Sequence, residues 1–155
     1  MSEAAEQSQP TFNIEKLYIK DMSLEVPHAP SIYLERETPQ IDMQLNSEFS
    51  AIDEGIYEVV VTATLTAKMT SIKDKVMFLI EAQQAGVFQL RNIPQEEMDS
   101  VLAVVCPNIL YPYLREVVTD LSVRGGFAPV LLNPVNFEAL YQQQKAQAAA
   151  GTTKH

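Results

Sequence analysis

The chain has 155 residues, a formal charge of −9 and 46% hydrophobic residues. That length can bury a core without a metal or disulfide staple, and that composition excludes wholesale disorder. The surplus of acids argues against a nucleic-acid partner, because phosphate binding needs a basic patch.

The acids are unevenly placed. Residues 1–100 hold 17 acids and 7 bases, and residues 101–155 hold 3 acids and 4 bases. An acidic first part suits a basic protein partner, and it equally suits plain solubility. The N-terminus MSEAAEQSQP has neither a basic region nor an apolar run, so it does not read as a signal peptide. No stretch approaches the ~18 consecutive apolar residues of a membrane span. The expectation is a cytoplasmic protein with no direct membrane insertion. It should have a disordered N-terminus over 1–10, one domain over 11–148 and a flexible tail over 149–155.

TFNIEKLYIKDMSLEVP reads as strand with a shifting phase. Phe12 and Ile14 share one parity, Leu17 and Ile19 the other, and Met22 and Leu24 return to the first. Period-2 alternation cannot switch faces without a bulge or break, so a strand in two pieces is expected. Its second piece sets Asp21, Ser23 and Glu25 opposite Met22 and Leu24. Pro27, Pro30 and Pro39 then bound a connection that carries Ile32, Tyr33 and Leu34, apolar for a loop. QIDMQLNS alternates cleanly, Asp53-Glu54-Gly55 is a turn, and IYEVVVTATLTAKM is a β-branched strand. A turn at Ser71–Asp74 leads to a fourth strand, where Phe78, Ile80 and Ala82 oppose Leu79, Glu81 and Gln83. Short links between the last three strands predict a mostly antiparallel sheet.

The remainder reads as helical. Pro94 opens one helix with acids in its first turn, Pro107 a second and Asn133-Pro134 a third, the last two prolines suiting a first helical position. Pro112 falls inside the second and should kink it. In that helix Ile109, Leu110, Tyr111, Tyr113, Leu114, Val117, Val118 and Leu121 spread over about 200° of the wheel, where packing on one sheet needs about 100°. The surplus must meet a neighbouring helix or another subunit, and a symmetric subunit interface is favoured.

Reaction chemistry is sparse. Cys106 has no basic or histidine neighbour in sequence, and His28 and His155 are the only histidines. One cysteine and two scattered histidines make neither a nucleophile–base pair nor a zinc site. Asp53-Glu54 and Glu96-Glu97 fit a turn and a helix start. No catalytic residue, metal or cofactor is expected. Two features point to binding. An acidic outer sheet face would hold Asp21, Glu25, Leu79 and Glu81, and spare apolar groups (Ile32, Tyr33, Phe137, Leu140 and Tyr141) could wall a groove.

Four segments carry a resemblance: YIKDMSLEVPHAP at 18–30, FLIEAQQAGVF at 78–88, CPNILYPYLREVVTDLSVRGGF at 106–127 and NPVNFEALY at 133–141. Together they resemble the SecB family of protein-export chaperones, over roughly Phe12 to Gln144. The resemblance implies an α+β fold, a four-stranded antiparallel sheet with helices packed on one face, assembling as a dimer of dimers. It implies an ATP-independent holdase that binds unfolded precursor proteins and delivers them to the SecA ATPase. It assigns SecA contact to Asp21, Glu25, Leu79 and Glu81, and client contact to Ile32, Tyr33, Phe137, Leu140 and Tyr141. Ile80, Ala82 and Gln84 match strand positions that affect dimer pairing, and the homotetramer would close on the long helix, through Tyr113, Val117 and Leu121. The sequence departs from some relatives at Glu37, where they carry an aromatic residue; an acid makes a client groove less apolar there. A SecB-like chaperone of another system, such as toxin–antitoxin control, is the alternative within binding proteins. A small α+β enzyme with a closed apolar pocket, or a structural oligomer without clients, are alternatives outside them.

Overall fold

The computed structural model describes residues 9–73 and 75–153, so most of the N-terminal segment expected to be disordered lies outside the described residues, as does Asp74 of the expected turn. Four strands, β1 (Thr11–Glu25), β2 (Gln40–Asp53), β3 (Ile56–Lys68) and β4 (Val76–Arg91), form one sheet in the order β1-β4-β3-β2. Every neighbouring pair is antiparallel. A single 3-10 turn, Ser31–Leu34, interrupts the crossover from β1 to β2. Asp53 Oδ1 accepts the Glu54 N–H at 2.8 Å, and Gly55 supplies the positive φ of 71° that closes the β2–β3 hairpin.

β1 is one continuous strand. Its register against β4 slips between Ile14 and Lys16 and again between Ile19 and Asp21. Each slip is a bulge, and each resets the parity once. Phe12 pairs with Leu90, Ile14 with Phe88, Leu17 with Gly86, Ile19 with Gln84, Met22 with Ala82 and Leu24 with Ile80. All six apolar residues of β1 therefore share the side of the even-numbered β4 residues. The irregular pattern expected to break the strand instead puts one face throughout toward the helices.

The helical layer begins with α1, a rod of 30 residues from Gln95 to Arg124. Residues Val101–Val105 are wound as a π segment, and the Cys106 N–H donates to the Val101 carbonyl five residues back. Pro107 thus does not open a helix. It follows a wide turn where the ladder is already displaced, so its missing N–H falls beside a gap in the regular spacing. By length and composition α1 could cross a membrane, which a count of consecutive apolar residues missed. Its apolar side is spent on the sheet instead: Leu110, Leu114 and Val118 are fully buried against Val61, Leu65, Phe78 and Ile80 in one core. Cys106 lies in that core, and burial pushes its thiol pKa up to about 12, the opposite of what a nucleophile needs.

α1 ends in a Schellman turn. Gly126 takes φ 85°, its N–H reaches the Val123 carbonyl at 2.9 Å, and the Phe127 N–H reaches the Ser122 carbonyl at 3.1 Å. A non-regular connector follows, and α2 then runs Phe137–Thr153, into the stretch read as a tail. The third helix does not begin at Asn133-Pro134. Tyr111 Oη donates to the Asn133 carbonyl at 2.5 Å, which holds that dipeptide against α1. The cap is Asn136, whose Oδ1 accepts the Ala139 N–H at 3.0 Å.

Candidate functional site

The sheet has two unlike faces. On the outer one, Glu25 stands opposite Leu79, Ser23 opposite Glu81 and Asp21 opposite Gln83. Asp21, Glu25, Leu79 and Glu81 are thereby brought together at one end of the outer face, the three acids exposed and Leu79 half-buried. Further along, Tyr18 donates a short hydrogen bond to Glu58, and Lys20 Nζ donates to the same carboxylate at 2.8 Å. The Lys20 bond, then the Tyr18 bond, lower the Glu58 pKa. Partial burial first, and the Glu58 carboxylate second, raise the Tyr18 pKa to about 12. One end of the face is therefore internally neutralised, and the other presents acids that are unpaired among the described residues, around a leucine.

On the helical side, two adjoining cavities run between the crossover and the connector. One, of about 350 Å³, is lined by Ile32, Tyr33, Pro39, Phe78, Phe127 and Val130 among others. The next, of about 460 Å³, continues past Ile41 and Met43 to Leu132 and Val135. Thr38, Pro39, Ala128 and Val130 line both, so the two adjoin as one groove with a shared stretch of wall. Phe127, turned back by the Schellman motif, stacks on Phe78 at 4.3 Å between ring centres and lies 5.5 Å from Tyr33. Tyr33 Oη donates to the Gly125 carbonyl at 2.7 Å, joining the two walls at that end. Glu37 also lines the groove, but Glu37 Oε1 accepts the backbone N–H of Thr70 at 2.8 Å and of Ser71 at 3.2 Å. Hydrogen bonds from Ser71, and then from Thr70, lower its pKa. The acid fastens the crossover to the β3–β4 turn.

The five residues expected to wall one groove are divided between two places. Ile32 and Tyr33 line the long groove, Ile32 with its side chain 1% exposed and Tyr33 half-exposed. Phe137, Leu140 and Tyr141 line a separate cavity of about 90 Å³ against Leu45, Phe49 and Ala103. The groove's second wall is the connector, which sequence reasoning read partly as helix. The signal was present in FAPVLLNPV: an apolar, proline-punctuated segment between helices, like SIYL in the crossover.

The strand and helix residues also separate. Ile80, Ala82 and Gln84 lie inside the protomer, 1%, 0% and 4% exposed. On α1, Leu121 is core, while Tyr113 is 49% exposed and Val117 half-buried. Val105, Ile109, Tyr113 and Val117, spaced four apart, form one stripe left uncovered or half-covered by the chain itself. The wide apolar face thus resolves into a stripe on the sheet and a second stripe outside it. Among the described residues no cluster of three or more histidine, cysteine or acidic side chains is placed to hold a metal ion.

Known proteins share this fold. A solved Mycobacterium tuberculosis SecB-like chaperone, in complex with a ChAD peptide from an antitoxin, shares the fold with a TM-score of 0.65 at 18% identity, covering 87% of this chain and 95% of that one. A protein-export protein SecB from Nitrosospira multiformis is 63% identical over 142 residues, covering 92% of this chain and 87% of the relative. Another from Chromobacterium violaceum is 57% identical over 149 residues, covering 96% and 97%. The family model described as Preprotein translocase subunit SecB matches residues 5–148. The chain belongs to the SecB family.

Proposed function

We propose that this protein is a cytoplasmic, ATP-independent export chaperone that holds unfolded precursor proteins and passes them to SecA. The observation that carries the reading is the open apolar groove between crossover and connector, about 350 and 460 Å³ in its two parts. An extended chain can lay successive side chains along it, and several such grooves in one assembly would hold a client by many weak contacts. The groove is open, and its charged lining residues, Glu35, Arg36 and Glu37, are consecutive on the crossover, with Glu37 held by the Thr70 and Ser71 backbone, which favours a binding module over an enzyme pocket. The unpaired acidic end of the outer face, Asp21, Glu25 and Glu81 around Leu79, suits a basic SecA segment.

The same reading includes a homotetramer, a dimer of dimers. Two observations support it: the uncovered α1 stripe through Tyr113 and Val117, and the exposed Phe12, Ile14, Ile19 and Met22 on the helical side of edge strand β1. Ile80, Ala82 and Gln84 would influence pairing through the packing beneath β1, because they are buried in the protomer.

Binding of a permanently unfolded protein, read by light scattering and anisotropy, tests the proposal. A tetramer that captures it, with Ile41→Asp in the groove abolishing capture, is the expected result. A monomer that ignores unfolded chains overturns the reading. A toxin–antitoxin role is favoured by the SecB-like neighbour solved with an antitoxin peptide. Clients recovered from cells decide between the two: many secreted precursors support export, a single toxin or antitoxin does not.

A further inference from the structure

The connector wall has no regular secondary structure, yet one of its residues is gripped at both backbone groups. Thr119 Oγ1 donates to the Val130 carbonyl at 2.6 Å, and the Val130 N–H donates to Ser122 Oγ at 3.0 Å. The Ser122 hydroxyl proton goes to the Thr119 carbonyl at 2.7 Å, which leaves the Oγ lone pairs free for Val130. A helical serine is already satisfied by that carbonyl bond. Its second bond, made with the side chain 0% exposed, is the unusual one. One acceptor and one donor from α1 thus replace the strand partner that Val130 lacks. Val130 is also one of the four residues common to both cavities, across from Thr38 and Pro39.

We infer that Thr119 and Ser122 are positioning residues of the client groove, whose hydroxyls fix the Val130 wall and so set the width of the groove where its two parts join. The inference rests on the groove being the client site. It separates two roles on one helix: the buried apolar residues of α1 hold the sheet, and two hydroxyls shape the binding surface. Neither hydroxyl touches the client; both act through the backbone of Val130.

The test compares Ser122→Ala, Thr119→Val and Thr119→Ser with Ile41→Asp. The probe is reduced, carboxymethylated lactalbumin; the readouts are its Kd and dissociation rate, amide exchange at Val130, and mass by light scattering. Ser122→Ala and Thr119→Val should speed Val130 exchange about tenfold and raise Kd about three- to tenfold through faster dissociation, as the loss of one or two buried hydrogen bonds implies. Thr119→Ser keeps the hydroxyl and should restore binding to within about twofold, with mass unchanged throughout. Thr119 also lines a hollow on the outer side of α1, so the mass reading separates a wall effect from an assembly effect. Faster exchange with an unchanged Kd, while Ile41→Asp weakens binding, overturns the inference and leaves the groove standing. If Ile41→Asp has no effect on binding, the groove reading falls and takes the inference with it. Should Ser122→Ala fail to fold, the contrast between Thr119→Val and Thr119→Ser decides the matter alone.

Discussion

The two faces of the sheet are made from the same four strands and serve opposite ends. Phe78, Ile80 and Ala82 point one way and are sealed beneath α1; Leu79 and Glu81, between them in sequence, point the other way and face outward. Alternation along β4 therefore interleaves residues that hold the fold with residues free to meet a partner. The lesson is that one step along the chain changes the expected consequence of a substitution from stability to recognition.

The sharpest way to break that comparison is a pair of neighbouring truncations. Phe78→Ala should cost about 3–5 kcal/mol of stability, because it empties a stacked, fully buried ring site. Leu79→Ala should cost under about 1 kcal/mol, as expected for a half-exposed side chain. Equal shifts in denaturant midpoint would collapse the distinction. Glu81→Lys should next weaken SecA binding about tenfold while client binding and the unfolding midpoint hold; parallel loss of both partners with the fold intact would show that the faces are not independent.

A smaller effect sharpens the contrast within the outer face. Tyr18→Phe removes one of two donors to Glu58 and should cost about 1 kcal/mol, with SecA binding unchanged, since Tyr18 pairs with Ala85 and the acidic end with Leu79. The pH dependence of stability should show the same cluster from both sides. Glu58 has a lowered pKa, so its contribution is complete above its ordinary 4.5 and fades as pH falls through the lower folded value. Tyr18 has a raised pKa, so its contribution is complete below its ordinary 10 and fades as pH rises toward about 12. Tyr18→Phe should reduce the alkaline decline, leaving the part contributed by the buried Cys106 thiol and Tyr111, and retain most of the acid one; a variant whose alkaline decline is undiminished assigns that limb to those groups alone.

Much of the fold was legible because hydrophobic period and β-branched content mark β2, β3 and β4 without ambiguity. The parity shifts of β1 were legible too, but their meaning was not. A change of phase reads as a break unless the neighbouring strand is known, and the register with β4 shows bulges near Glu15 and Lys20. The start of α2 was misplaced for a physical reason: NPVN offers two candidate caps, and the bond from Tyr111 to the Asn133 carbonyl, 22 residues apart, favours the second. The shared outer face of Asp21, Glu25, Leu79 and Glu81 was legible because the alternation that sets a strand residue's face is local, even though the pairing of β1 with β4 is not. The apolar groove was only half legible, since its connector wall depends on hydrogen bonds from α1 that no sequence period encodes.

The π segment at Val101–Val105 has a consequence for how the molecule meets others. One residue more in a turn rotates everything downstream by about 100°, since an α-helix advances that angle per residue. The nineteen residues from Cys106 to Arg124 are therefore indexed to the sheet by an offset introduced before them. Rewind those residues as a regular α turn, with none removed, and the rod would swing: the flank bearing Tyr113 would turn toward the strands, and the flank bearing Leu114 would roll away. A single local insertion thus works like the setting screw of a dial, deciding which side of a long helix is kept and which is offered.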